Sequence, residues 1–180
     1  MILIYGKSGS GKDTIAKEIS KYGYKPVVLY TTRPKRDNEI NGIDYYFVNN
    51  DVFKQYSKNN LFLWETQYNT TFGIWKYACP KKIDMESVMV VNPTSLQYMK
   101  FAKWTHPVCF YLKADATEIR KRLLNRGDNP DEIDRRIRSD NEDFENVSHL
   151  ADYVVDNNGD MTISDIAQKI IKIYEVLKEK

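Results

Sequence analysis

The run Gly6-Lys7-Ser8-Gly9-Ser10-Gly11-Lys12-Asp13-Thr14 constrains the fold more tightly than any other stretch of the chain. It follows an apolar segment, Ile2-Leu3-Ile4-Tyr5, and opens a helical pattern from Lys12 to Tyr22. Strand, glycine loop, helix is the setting a phosphate-binding P-loop requires. The glycines let successive backbone N–H groups turn inward and form a cradle for anionic oxygens. The helix contributes its N-terminus and the positive end of its dipole. Lys12 adds a full charge on a mobile stem, able to follow a phosphoryl group in transfer. The candidate phosphate-binding residues are therefore Gly6, Ser8, Gly9, Ser10, Gly11, Lys12, Asp13 and Thr14. A plain glycine turn into a helix explains neither the glycine spacing nor the lysine at the mouth. The usual pattern has Ser or Thr directly after the lysine as a magnesium ligand, whereas here Asp13 stands there and Thr14 follows. Asp13 is a hard oxygen donor that can hold magnesium directly or through water, or it can cap the first helical turn.

The rest of the chain alternates strands and helices. The first helix shows Ile15, Ala16, Ile19 and Tyr22 at helical spacing, with Gly23 as its stop. Val27–Tyr30 reads as a second strand, Thr31–Glu39 as a polar loop, Asn41-Gly42 as a turn and Tyr45–Val48 as a strand. Asp51 caps a short helix through Tyr56, and Leu61–Trp64 forms another short strand. Residues 74–87 carry no clear pattern. Val88–Val91 and Val108–Leu112 are continuous apolar runs, the mark of strands buried on both faces. A helix follows Pro93, with Leu96 and Met99 inward, and Asp115 or Thr117 opens a helix carrying Ile119, Leu123 and Leu124. Arg126–Pro130 breaks the latter helix, and a further helix runs from Asp131 to about Asn146. Tyr153–Val155 is the last strand, and Thr162 or Ser164 caps a helix carrying Ile166, Ile170, Ile173 and Leu177. This order predicts an α/β fold: a P-loop NTPase-type parallel sheet wrapped by helices, interrupted by a β-rich insertion.

Composition sets the outer limits. The 180 residues suffice for one domain with a proper core, and the net charge of +2 gives no electrostatic argument for a nucleic-acid partner. No run is long and apolar enough for a signal peptide or a membrane span. The expectation is a cytoplasmic protein with reduced thiols, in which Cys79 and Cys109 form neither a disulfide framework nor a zinc site. The sequons at Asn69 and Asn146 then carry no meaning. His106 and His149 lack metal-ligand spacing, and Trp64, Trp75 and Trp104 read as packing residues.

Beyond the loop, the residues resemble a known family. Thr31-Thr32-Arg33, Arg36, and Glu39-Ile40-Asn41-Gly42-Ile43-Asp44-Tyr45-Tyr46-Phe47 resemble the guanylate kinase signature. Arg122-Leu123, Arg126-Gly127 and Arg135-Arg136 resemble that family's lid, and Asp152–Asn157 its adenine-side segment. The resemblance runs over almost the whole chain. It implies an ATP-dependent nucleoside monophosphate kinase with three parts: a core (1–31, 83–125 and 147–180), a nucleoside monophosphate-binding insertion (32–82) and a short helical lid (126–146). Carried over by residue, Arg33 and Arg36 grip the acceptor phosphate and Tyr45 donates its hydroxyl to it. Arg126 and Arg136 reach over the transferring group as catalytic residues beside Lys12, although their separation is one residue shorter than the family's. Asn157 lies near adenine. Magnesium accompanies ATP, and the chain acts as a monomer or homodimer without nucleic acid or membrane.

The departures concern the base. Leu29 stands where the family has a hydroxyl residue, Asn92 replaces an Asp, and Phe72-Gly73-Ile74 replaces Tyr-Gly-Ser/Thr. Glu65, two residues late, reads equally as the guanine reader or as a surface acid; with the side-chain oxygen of Asn92 it would complete the acceptor set. GMP or dGMP is the leading acceptor. The alternatives are a deoxynucleoside monophosphate kinase with altered base choice and a non-catalytic guanylate kinase-like binding module. Such modules typically lack the loop lysine and glycines that this chain retains.

Overall fold

The structure is a computed structural model that describes residues 1–100, 107–145 and 147–178. His106, Trp104 and Asn146 lie outside the described residues. The chain divides into two compact units, Met1–Pro26 with Met85–Lys180, and Val27–Asp84.

The first unit is built on β1 (Ile2–Tyr5), whose residues are all fully buried. It pairs in parallel with β7 (Ser87–Val90) on one side and β8 (Val108–Lys113) on the other. With β2 (Lys25–Pro26) and β9 (Tyr153–Asp156) these make a five-stranded sheet in the order β2-β7-β1-β8-β9. Side chains alternate along each strand, so β1 serves both faces of the sheet. Ile2 and Ile4 pack with Ile15, Ala16 and Ile19 of α1 (Lys12–Ser20) and with Ile166, Ala167, Ile170 and Tyr174 of α6 (Ile163–Leu177). Tyr5 points the other way and stacks on Phe144 of α5 (Pro130–Glu145), at 6.4 Å between ring centroids. Each such apolar side chain is worth about 1.5–3 kcal/mol when fully buried, which explains why the apolar runs of the sequence became the central strands. Thr162 closes a capping box with Asp165 at the start of α6. Asp115 occupies the N-cap of α4 (Ala116–Asn125), and Leu96 and Met99 of α3 (Pro93–Lys100) are buried as expected. Tyr22 is not: the helix ends at Ser20 and the ring is exposed.

The second unit holds a four-stranded sheet ordered β4-β3-β6-β5, made of β3 (Leu29–Thr31), β4 (Tyr45–Phe47), β5 (Phe62–Thr70) and β6 (Gly73–Pro80). Helix α2 (Asn50–Lys58) covers one face with Phe53, against Phe62, Ala78 and Tyr30. Its cap is Asn49, whose side chain accepts from the Val52 N–H, rather than Asp51. Of the expected strand Val27–Tyr30, only Leu29 and Tyr30 are paired, in β3, while Val27 and Val28 lie in no strand. Pro26 ends an edge strand, where its missing N–H costs nothing, and pairing resumes only at Leu29. The β5–β6 hairpin is longer than the short strand expected, and it fills part of the stretch that showed no pattern. Both cysteines are free, and burial pushes each thiol up to about 12.

Candidate active site

In the first unit, the loop between β1 and α1 has no room for side chains at two glycines. A Cβ on Gly6 would lie 2.3 Å from the Leu112 carbonyl oxygen. Gly11 adopts φ +96° as the N-cap of α1, and a Cβ there would meet the Asn157 amide at 2.7 Å. A left-handed φ and a close approach of this kind both require glycine. The tight packing has a structural source. Asn157 donates its Nδ2 to the Ser10 carbonyl at 2.8 Å, and Arg122 donates to the Asn157 carbonyl at 2.9 Å and to the Ser10 carbonyl at 3.5 Å. Asn157, directly after β9, and Arg122 of α4 thus hold the Ser10 carbonyl of the loop. Asn157, expected beside adenine, is placed on the loop backbone.

The Lys12 ammonium donates to the Lys7 carbonyl at 2.9 Å. Burial lowers its pKa, while Asp13 and Asp140 work against that and Arg126 adds to it. Asp13 and Thr14 are exposed in the first helical turn. Among the described residues there is no cluster of three or more His, Cys, Asp or Glu able to hold a metal. Magnesium carried on a nucleotide keeps several waters and takes only one or two protein oxygens, so a single exposed Asp13 carboxylate fits it.

Arg126, Arg135 and Arg136, expected in a lid, form a connected ion network with Asp128 and Glu132. Arg126 forks onto Asp128, with Nε to Oδ1 at 2.8 Å, and Arg136 reaches the same carboxylate at 3.0 Å. Arg136 also donates Nε to Glu132 at 2.8 Å, and Arg135 clamps Glu132 at 2.8 and 2.9 Å. Glu132 is only 4% exposed. The bonds from Arg135, and then from Arg136, hold its carboxyl down at about 2 against burial, which works upward. Residues 126–145 belong to the first unit, and Phe144 anchors the end of α5 on Tyr5 and Tyr111.

In the second unit, the threonines of the Thr-Thr-Arg run pin the loop after β3 to β6. Thr31 Oγ1 donates to the Lys76 carbonyl at 3.0 Å, and Thr32 Oγ1 accepts from the Lys76 N–H at 2.9 Å. Arg33 is thereby set into the sheet face and is only 6% exposed. Its guanidinium lies 5.5 Å from the Tyr45 ring and 5.4 Å from Phe47, and it forks onto Glu39 at 3.0 and 2.6 Å. Glu39 also accepts from the Arg36 N–H at 2.8 Å. Burial raises the Glu39 pKa, but the bonds from Arg33 and Arg36 outweigh it and leave the carboxyl below its ordinary value. Arg33 and Arg36 are therefore brought together on one carboxylate, with the Tyr45 ring against the Arg33 guanidinium. Tyr77, which the sequence did not single out, joins them: it pairs with Thr31 across β3–β6, and its ring lies 6.0 Å from Tyr45.

Glu65, an expected base reader, is not brought to that face. Glu65 pairs with Ala78, and Ala78 packs under α2, so Glu65 occupies the α2 face of the sheet. Its carboxylate accepts from Ser57 Oγ at 2.6 Å. Thr31, Tyr77 and Thr66 are in register with one another and lie on the opposite face. This corrects the placement of Glu65 in the acceptor set; the cause is side-chain alternation, since a shift of one residue along β5 reverses the face. Asn92, in the first unit, precedes α3. Its side-chain oxygen accepts from both the Ser95 N–H at 2.8 Å and Ser95 Oγ at 2.6 Å, which uses the oxygen to open α3. Phe72 and Ile74 are exposed at the hairpin turn.

A family model described as guanylate kinase matches residues 1–174. The chain is 29% identical over 163 residues to a guanylate kinase of Thermus thermophilus, covering 88% of this chain and 74% of that one. It is 30% identical over 178 residues to a guanylate kinase of Caldanaerobacter subterraneus, covering 95% and 86%. In fold it is similar to the crystal structure of guanylate kinase from Anaplasma phagocytophilum, with a TM-score of 0.72, 23% identity, and coverage of 100% of this chain and 87% of that one.

Proposed function

The chain belongs to the guanylate kinase family, and on that premise we propose that it transfers the γ-phosphoryl group of ATP to GMP or dGMP, releasing ADP and GDP or dGDP. The observation that supports this reading is the occurrence in one chain of the glycine loop with Lys12 and the Arg33–Glu39–Arg36 group beside Tyr45. Phosphoryl transfer asks little covalent chemistry of a protein; it needs two anionic substrates aligned and their spread charge neutralised. Lys12 and the loop N–H groups hold the phosphates of ATP. Arg33 and Arg36 hold the acceptor phosphate, with the Tyr45 hydroxyl. Arg126 and Arg136 neutralise the group in transfer. Asn157 braces the loop on the adenine side. Magnesium bound with ATP supplies charge on the phosphate oxygens, and Asp13 is the residue that would reach it. No helix among the described residues is long and apolar enough to cross a membrane, and we place the enzyme in the cytoplasm, as a monomer or homodimer.

A second reading keeps the reaction and changes the base. It is favoured by the engagement of Glu65 with Ser57 and of the Asn92 oxygen with Ser95. Guanine offers an N1–H and a 2-amino group, and a buried donor left unpaired costs about 1–3 kcal/mol. ADP release from ATP and magnesium, measured against GMP, dGMP, AMP, dAMP, CMP, dCMP, UMP and dTMP, separates the readings. Turnover confined to GMP and dGMP is expected. Preference for another base establishes the second reading, and no turnover with any of them refutes both.

A further inference from the structure

The Ser8 backbone N–H, in the glycine loop proposed to hold the ATP phosphates, donates to Asp140 Oδ2 at 2.5 Å. Asp140 sits on α5, and the next residue, Asn141, accepts from Lys7 Nζ at 2.6 Å. The Lys12 ammonium does not pair with this carboxylate; it donates to the Lys7 carbonyl. A cradle of inward N–H groups is built for phosphate oxygens, and here a side-chain carboxylate already occupies one of them.

We propose that Asp140 is a resident anion of the phosphate cradle, held on Ser8 and displaced when nucleotide phosphate arrives. One N–H serves one acceptor well, and a carboxylate and a phosphate crowded onto it repel each other. The carboxylate must therefore leave for the triphosphate to take the whole cradle, and its bond is a charge-assisted one, stronger than a neutral bond. Nucleotide affinity is lowered by the free energy of that exchange. A small anion that gains few contacts competes poorly with Asp140, whereas a triphosphate that spans the loop and Lys12 gains many. Asp140 thereby sets how selectively the empty loop takes a nucleotide over free phosphate. The inference rests on the reading of the loop as the ATP-phosphate site.

The test is isothermal titration of the full chain, without acceptor, using a non-hydrolysable ATP analogue with magnesium and, separately, inorganic phosphate. Asp140→Asn removes the charge and can keep the hydrogen bond; Asp140→Ala removes both. Both variants are expected to bind the analogue more tightly, by roughly tenfold, the scale of one charge-assisted bond. Inorganic phosphate should gain at least as much. The nucleotide-free melting temperature should fall slightly while the rise on adding the analogue grows. A carboxylate that merely props the loop open for ATP predicts the reverse: Asp140→Asn unchanged and Asp140→Ala weaker. Unchanged or weakened binding in a folded Asp140→Asn, with a wild type that binds the analogue, overturns the proposal. A wild type that does not bind the analogue overturns the ATP-site reading itself.

Discussion

Glu132→Gln provides the sharpest quantitative check on the lid. The carboxylate is 4% exposed and receives three hydrogen bonds from Arg135 and Arg136, at 2.8, 2.9 and 2.8 Å. Its pKa stands at about 2 in the folded chain, against an ordinary value of 4.5. A shift of that size corresponds to an upper limit of about 3 kcal/mol of folding free energy. Solvent reaches Arg135, so screening reduces this to roughly 2 kcal/mol. The sign follows from a depressed carboxylate. The unfolded chain holds the proton more strongly, so the stabilisation is complete above about pH 5 and is lost as pH falls from there towards 2. Glutamine keeps the shape and removes the charge at every pH. In thermal unfolding at pH 7 the variant should melt about 4–8 °C below wild type, a scale set by the size of the chain. The gap should narrow steadily below pH 4.5. Arg136 would lose one of its two anchors as well, and turnover should fall more than the Michaelis constant for either nucleotide changes. A melting gap that is absent at pH 7, or that stays constant down to pH 3, would refute the account of the network.

Three further outcomes follow from the geometry. Lys12→Ala should abolish phosphoryl transfer while leaving the fold intact, checked by turnover alongside circular dichroism; more than a small residual activity in a folded variant contradicts its role. Glu65→Ala should change acceptor use by less than about threefold, as expected for an exposed side chain on the α2 face; a selective loss of acceptor turnover of tenfold or more would return Glu65 to the base site. Glu39→Gln leaves the buried Arg33 without its carboxylate and should cost about 2–4 kcal/mol in urea unfolding, with weaker acceptor binding; an unchanged midpoint would show that the Tyr45 and Phe47 rings suffice to hold the guanidinium.

The P-loop and the parallel sheet were legible because each has a local signature. Ile2–Tyr5, Val88–Val91 and Val108–Leu112 are apolar throughout, and only burial on both faces rewards that. The Thr-Thr-Arg segment was legible as a resemblance, and the structure supplies its reason in the bonds of both threonines to Lys76. The faces of the hairpin were not legible. Gln67, Tyr68, Asn69 and Thr70 mix polar and aromatic residues, and register comes from pairing with β6, which no single strand reveals. Without that register, Glu65 could be assigned to either face. Arg122 was read only as part of the lid resemblance, and Asp140 was not singled out, for a related reason. Each looks like an ordinary charge on a helix, and only the tertiary fold brings it to the loop. For Arg122 the Arg-Leu-x-x-Arg-Gly run was a usable signal; for Asp140 the sequence held none.

The central claim is that this chain moves a phosphoryl group between two nucleotides bound at two anion sites. The most direct measurement follows label from γ-labelled ATP, with magnesium and GMP, into products separated by chromatography. The account predicts label in GDP at a rate matching ADP release, and none when Lys12 is replaced by alanine. Label recovered only as inorganic phosphate, or remaining in ATP while GMP is bound, would contradict it.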